Sequence, residues 1–452
     1  MTTGAYPYSA DFLAACRGEP ALFPFLLESA AHGGPQGRYD ILFARPAAEM
    51  LVLHADGSLT GPHASRVHGD FFAALDAWWR ADHIPQVEEA RGLPFRGGWF
   101  LFLGYELAGQ VEASLSLPRG GDLPVAFAAR VPAALIRDHS DGSVRFVSET
   151  AADSGIARTL RDLTAARHKV HDSKVLAAPL SEEDPSRYLI QVERARRYIH
   201  DGDIFQANLS RLWSGELAPA VDALDLYGRL RRANPAPFAG FAALGDRAII
   251  SSSPERLVRV TGERVDTRPI AGTRPRNADP LRDAALVREL IEHPKERAEH
   301  VMLLDMERND LGRIAVTGSV QVDELMVVES YTHVHHIVSN VAARLRPGVT
   351  PSQVLRAVFP GGTITGCPKV RCMEIIAELE QAPREAYTGA MGYLNLDGSM
   401  DLNILIRTLV QKGRRLEFRA GAGIVADSVP ERELDETRAK ARGLARALDG
   451  DA

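Results

Sequence analysis

The sequence predicts an α+β fold built on antiparallel sheets, and three observations carry that reading. Short β-type runs meet at tight turns, as where DHSDG (138–142) precedes VRFVS (144–148). Two more hairpin patterns follow, 238–252 turning at Leu244-Gly245-Asp246 and 257–267 turning at Thr261-Gly262-Glu263. Helical segments then interrupt groups of strands instead of alternating with single strands, which argues against a doubly wound parallel sheet.

In chain order, 38–45 (RYDILFAR), 50–54, 97–105 and 126–136 read as strands. Residues 70–80 (DFFAALDAWWR) have helical period, with Phe71, Leu75, Trp78 and Trp79 near one face, a core stripe. A polar, Ala-rich stretch, 150–185, is the expected boundary between an N-terminal region (1–170) and the rest (185–452). Beyond it 188–200 is an amphipathic helix, 204–212 a strand and 294–312 a helix opened by Pro294. A last helix follows 420–427, with Ser428 expected as its N-cap and Pro430 in its first turn.

The chain has 452 residues, 45% hydrophobic and 25% charged, which suits a water-soluble globular protein. A net charge of -6 argues against nucleic acid or an anionic membrane as the main partner. The first ten residues lack the basic and apolar regions of a signal peptide, and Cys16, Cys367 and Cys372 form no CxxC motif or fully pairable set, so a reducing cytoplasm is expected.

Chemistry-bearing residues concentrate in the second half. Glu296 and Glu299 lie three apart on one predicted helix, and Glu433, Glu436 and Lys440 share a face of another. Each set alone reads as a solvated salt-bridge face; together they offer four carboxylates to one hard cation such as Mg2+. Gly421 and Gly423 let backbone lie directly against a ligand. Ala271-Gly272-Thr273 sits between basic, Pro-bounded flanks, either an ordinary loop or an oxyanion cradle. Glu255 at a strand end is either a surface carboxylate or a general acid held in a cleft. FPGGTITGCPKVR (359–371) resembles a phosphate loop superficially, but Lys369 lacks the required neighbours. His333, His335 and His336 lack a further Cys or His pair for zinc, so one substrate-contacting histidine is the better reading.

Several segments in one order carry a resemblance: GDIFQANLS (202–210), SSPERL (252–257), RPIAGTRPR (268–276), KERAEHVMLLDMERNDLGRIA (295–315), FPGGTITGCPKVRCMEII (359–376), GAMGYL (389–394), MDLNILIRT (400–408) and AGAGIVADSVPERELDET (420–437). The chain resembles the chorismate-utilising enzymes, in particular the branch holding the large components of aminodeoxychorismate synthase and anthranilate synthase. The resemblance implies two large antiparallel β-sheets packed as a sandwich and surrounded by helices. It makes 185–452 the chorismate-binding catalytic region and 1–170 a regulatory or scaffold region. It implies Mg2+ on Glu299 and Glu436, with Glu296 and Glu433 in support through water. Tyr387, Arg407 and the Gly421-Ala422-Gly423 backbone would grip the substrate carboxylates, assisted by Lys440. Glu255 would be the general acid on the departing 4-hydroxyl, His336 would line the ring pocket, and Thr273, beside Gly272, would contact a substrate oxygen.

Gln206 stands where the resembling isochorismate and salicylate synthases carry a lysine that activates water, and an amide cannot serve as that base. The resemblance therefore implies ammonia as nucleophile, supplied by a separate glutamine amidotransferase subunit, since this sequence carries no Cys-His-Glu glutaminase. GRYDILFARP (37–46), LPFRGGWFLFLGYELAGQVE (93–112) and HVHHIVS (333–339) look more like aminodeoxychorismate synthase, the favoured reading, with a product leading to 4-aminobenzoate and folate. Ala271, where the best-known members of that type have a nucleophilic lysine, looks like anthranilate synthase, the alternative. LLES (26–29) resembles a tryptophan pocket, making Glu28 and Ser29 candidates for such a site. A non-catalytic chorismate- or tryptophan-binding regulatory protein is the alternative from another class.

Overall fold

The computed structural model describes residues 2–6, 11–31, 36–84, 92–149, 175–331 and 334–449, without the side chains of residues 2–6 and Lys295. Before residue 150 lie strands β1 (Thr2–Tyr6), β2 (Phe25–Glu28), β3 (Tyr39–Ala44), β4 (Met50–Leu53), β5 (Leu59–Thr60), β6 (Gly98–Leu103), β7 (Ala126–Val131), β8 (Ala133–Asp138) and β9 (Ser143–Ser148). After it come β10 (Ser181–Glu182), β11 (Gln206–Glu216), β12 (Phe238–Leu244), β13 (Arg247–Ser253), β14 (Arg256–Thr261), β15 (Arg264–Arg268), β16 (Ile270–Pro275), β17 (Gln321–Ser330), β18 (Val334–Arg344), β19 (Gly366–Cys367), β20 (Ala390–Asn395), β21 (Met400–Ile404), β22 (Thr408–Lys412) and β23 (Arg415–Ile424). One sheet runs β1-β9-β8-β3-β2-β12-β13-β22-β23-β11-β10, with β19 also beside β11. The other runs β16-β18-β15-β14-β21-β20-β6-β7-β4-β5, with β17 also beside β18. The pairings are antiparallel, as the hairpin patterns require.

Strand periodicity explains the layering. In β6, Phe100 and Phe102 point toward the first sheet, where the Phe100 ring stacks on Phe25 at 4.3 Å between centroids. Trp99, Leu101 and Leu103 point the other way, into a core with Phe71, Leu75 and Trp78 of the helix Phe71–Asp82 and Val354, Leu355 and Val358 of the helix Pro351–Val358. The outer face of the first sheet is covered in turn by the helices Phe12–Gly18, Ala223–Ala233 and Pro430–Leu448. Both sheets are thus buried on two faces through much of their area, and the apolar run in β6 is a doubly covered strand. No helix among the described residues is long and apolar enough to cross a membrane.

Three expectations are modified. Residues 126–136 form two strands in different sheets, because Pro132 has no N–H to give to a ladder. The chain leaves the second sheet at Val131, opposite Gly98, and enters the first at Ala133, opposite Ala44. Ser428 does not cap the last helix: Val429 is the N-cap, and the Ser428 hydroxyl instead accepts from the Val425 N–H at 3.0 Å, closing the preceding turn. Residues 150–174 of the expected boundary lie outside the described residues, and the regions on its two sides are interleaved, β2 pairing β12 and β6 pairing β20.

Beneath the C-terminal strands lies a buried ion pair. Arg384 Nη2 meets Glu380 Oε1 at 2.6 Å and the Asn208 carbonyl at 2.6 Å, while Glu380 Oε1 also accepts from the Ser210 N–H at 2.8 Å. Burial alone would raise the Glu380 carboxyl, but Arg384 and Arg419 hold it below its ordinary value. Substituting Arg384→Met leaves the Glu380 charge short of its partner in a dry site, and is expected to cost about 3–5 kcal/mol of unfolding free energy in urea denaturation at pH 7. The depressed Glu380 carboxyl contributes stability above its unfolded-state value and loses it as pH falls, so the wild-type advantage should shrink toward acid pH.

Candidate active site

The helix Pro294–Gly312 joins the two halves of the site. Its first carboxylate, Glu296, lies against β16: Arg274 Nη1 reaches it at 3.1 Å, and a Cβ on Gly272 would come within 2.9 Å of its Oε2. One turn later Glu299 lies against β23 and β11, accepting from Gln206 Nε2 at 3.0 Å and standing 3.8 Å from where a Cβ on Gly423 would be. Three helical residues, about 4.5 Å of rise, therefore span from the Gly272 bulge to the Gly423 backbone. Glu296 and Glu299 are brought together by spacing, as expected from i and i+3.

At the β16 end, Gly272 has φ +69° and sits where the register with β18 shifts between Ala271 and Thr273. Only glycine adopts that backbone freely, and the bulge turns Thr273 onto His336, whose Nδ1 lies 2.8 Å from Thr273 Oγ1. Burial, then the nearby Arg407 charge, pushes the His336 imidazole down to about 3, so it is neutral at physiological pH. Its Nε2 is buried and has no hydrogen-bond partner among the described residues. Glu255 is 4% exposed. Burial raises its carboxyl to about 8, despite the Ile270 N–H at 3.4 Å and the attraction of Arg407, so it carries a proton at neutral pH. Arg407 follows β21 in a left-handed conformation, φ +51°, and makes no ion pair at contact distance among the described residues. A half-buried guanidinium facing a neutral acid and a neutral imidazole is a site for an anion.

At the β23 end the expectation of bare backbone is refined. The spaces above Gly421 and Gly423 are taken by this chain's own side chains: a Cβ would come within 2.5 Å of Tyr387 Oη at the first and of Gln206 Nε2 at the second. Both glycines are required so that Tyr387 and Gln206 can lie flat on the strand, while Ala422 between them turns into the core with Leu209 and Ile424. Lys440 Nζ donates to the Gly421 carbonyl at 2.9 Å and pairs with Glu436 at 2.8 Å. Glu299 and Glu436 thus approach the 421–423 stretch from two helices, and half-buried Glu433 lies near Tyr188. Gln206 Oε1 is a second buried acceptor with no partner among the described residues.

Among the described residues, no three His, Cys, Asp or Glu side chains converge closely enough to hold a metal ion as they stand. Magnesium takes one or two carboxylates plus substrate oxygens and water, so the oxygen donors Glu299 and Glu436 fit it in kind. Sequence reasoning did not single out Arg274, Asn208, Thr363 or Glu307. Glu307 was visible only as another acid in a helix. It is buried, and it is one of the groups that raise Glu255. His333 lies outside the described residues, and His335 is taken up by Ser330 at 2.7 Å and Asp283 at 3.0 Å.

Glu28 and Ser29 stand apart from this cluster, on a cavity of about 630 Å3 also bordered by Arg256, Met391, Tyr393 and Asp401. The Glu28 carboxylate is held by Tyr227 Oη at 2.7 Å and Arg231 Nη1 at 2.9 Å. The Ser29 hydroxyl donates to the Tyr39 carbonyl at 3.0 Å.

Residues 26–446 match the family model of the chorismate binding enzymes. The chain is 42% identical to an anthranilate synthase component I-like protein of Synechocystis sp., over 94% of this chain and 86% of that one. It is 39% identical to aminodeoxychorismate synthase component 1 of Bacillus subtilis, over 94% of this chain and 91% of that one. The crystal structure of anthranilate synthase component I from Streptococcus pneumoniae superposes with a TM-score of 0.78 at 34% identity, covering 91% of this chain and 93% of that one. The two-sheet architecture, the site at their shared end and these matches lead to one conclusion: the chain belongs to the chorismate binding enzyme family.

Proposed function

We propose that this chorismate-utilising enzyme aminates its substrate, forming 4-amino-4-deoxychorismate with ammonia from a glutamine amidotransferase subunit in the cytoplasm. The observation that carries amination is Gln206. Its amide is locked by Nε2 onto Glu299, and its buried Oε1 is left as an acceptor, a group that can hold an N–H of ammonia but cannot deprotonate water. Arg407, Tyr387 Oη, Lys440 and the 421–423 backbone would hold the substrate carboxylates, and neutral His336 would present Nε2 to the ring with its other nitrogen fixed by Thr273. Bound Mg2+, held by Glu299 and Glu436 with Glu296 and Glu433 through water, would neutralise and orient a substrate carboxylate. As the new C–N bond forms, the C4–O bond breaks, and Glu255 gives its proton to the departing oxygen, which leaves as water. Ala271 offers no amine at the ring, so ammonia attacks directly, without an enzyme adduct.

The N-terminal motifs and the B. subtilis relative support attack that ends in 4-amination. Ala271 and the anthranilate synthase relatives favour a second reading, in which the amine ends at C2 and pyruvate is eliminated. The cavity beside Glu28 and Ser29 would take tryptophan as a bound effector, and isothermal titration with tryptophan should show saturable binding.

With chorismate, Mg2+ and ammonium, the first reading expects 4-aminobenzoate only when an aminodeoxychorismate lyase is added. Anthranilate and pyruvate appearing without the lyase establish the second. Glu255→Gln should lower kcat by about 10²-fold or more. Because the acid must be protonated, wild-type turnover should fall as pH rises through about 8. Glu299→Gln and Glu436→Gln should each abolish turnover while leaving the thermal unfolding midpoint near that of the wild type; retained turnover in both would refute the metal assignment.

A further inference from the structure

Behind Glu255 lies a second carboxyl that the reaction as described does not use. Glu307 is buried at 6% exposure on the fourth turn of the helix that carries Glu296 and Glu299. Two adjacent residues of the loop after the helix Pro351–Val358 divide the two acids between them. The Gly362 backbone N–H serves Glu307, and a Cβ on Gly362 would lie 3.3 Å from its Oε1; the Thr363 hydroxyl faces Glu255. Thr267 on β15 faces Glu307 from the other side. Both threonine hydroxyls are buried, and a hydroxyl can act as proton donor or acceptor.

The same helix continues to Asp310, equally buried, which Lys369 meets in an ion pair. The charged and titratable groups facing Glu255 are Glu307 and Arg407. Those facing Glu307 are Asp310 on its own helix and Lys369 at the start of the helix Lys369–Glu380. The result is an acidic row from Glu255 through Glu307 to Asp310, ending at the half-buried Lys369.

Resting on the reading of Glu255 as general acid, we propose that Glu307 is a positioning residue of the reaction, which keeps the proton on Glu255 before turnover and returns one to it afterwards. The step balances simply. The Glu255 O–H bond breaks, its proton leaves on the water formed from the 4-hydroxyl, and the resulting carboxylate takes a proton from Glu307 across the Gly362-Thr363 turn. Glu307 then regains a proton from solvent between turnovers. Burial, then Asp310, raises Glu307 to about 7, so it can exchange a proton near neutrality and its charge opposes ionisation of Glu255.

The test follows chorismate consumption with ammonium, a readout indifferent to which carbon is aminated. In Glu307→Gln the charge opposing Glu255 ionisation is gone, so the alkaline limb of kcat should move to lower pH by about half a unit or more, and Glu307→Asp should recover most of that shift. A second measurement needs no turnover: the protonated-carboxyl infrared band of the substrate-free enzyme, assigned by its loss in Glu255→Gln, should titrate at lower pH in Glu307→Gln. An unmoved band, or a lowered kcat with an unmoved limb, overturns the proposal and leaves Glu307 a packing residue. A shifted band in an enzyme that consumes no chorismate upholds the coupling and refutes the general-acid reading instead.

Discussion

The buried pair between Arg384 and Glu380 is the junction on which the site depends. Through it the helix Lys369–Glu380 is tied to β11 at Ser210 and Asn208, and the guanidinium lies over the rings of Tyr105 and Tyr387 at 4.9 and 5.5 Å. The Arg384 and Glu385 N–H groups donate to Glu106, which brings in the first half of the chain. A charge pair this dry is costly to assemble, and its gain is geometric. It fixes Tyr387 above Gly421 and fixes β11 beside β23, so the ligand-facing surface inherits the rigidity of two sheets.

Electrostatic balance within the site follows from burial. Glu255 and His336 are both neutral at pH 7 for the same reason: each lies where an ion would be poorly solvated. Arg407 cannot shed its proton there, so it remains a positive charge among neutral neighbours. An anionic ligand relieves that imbalance. The strained backbone at Arg407 and the bulge at Gly272 are then costs met by the surrounding sheets, which hold both residues in conformations a free chain would leave.

Much of this was legible in the sequence because local spacing determined it. The hairpins at Gly245 and Gly262 and the helix opened by Pro294 are written in residues close together in the chain. What was not legible depends on long-range packing. A run of apolar residues reads as one strand, and only the second sheet gives Pro132 its meaning as a crossing point. Ser428 has the chemistry of a cap, but the helix starts one residue later, where Pro430 occupies the first turn. The glycines at 421 and 423 signal close approach to the backbone, but that Tyr387 and Gln206 are what approaches depends on residues 34 and 217 positions away, by sequence number. Glu307 was hidden because a helical pattern does not say how deep its acids lie.

Gln206 lies where β11 meets the helix Pro294–Gly312, so its side chain is set by Glu299 and by the open space at Gly423. A lysine there would stand against Glu299 and Gly423, where its ammonium would pair with the carboxylate and could yield its proton only by giving up that partner. The amide makes the same contact with no charge of its own, and its second atom, Oε1, stays buried with no partner among the described residues. Under the proposed amination, Gln206 on β11 would select the nucleophile, whereas Glu255, following β13, would assist departure of the hydroxyl. Gln206 meets this helix at Glu299 and Glu255 faces it at Glu307, eight residues and about 12 Å further along, so the two groups are held in register by one rigid element.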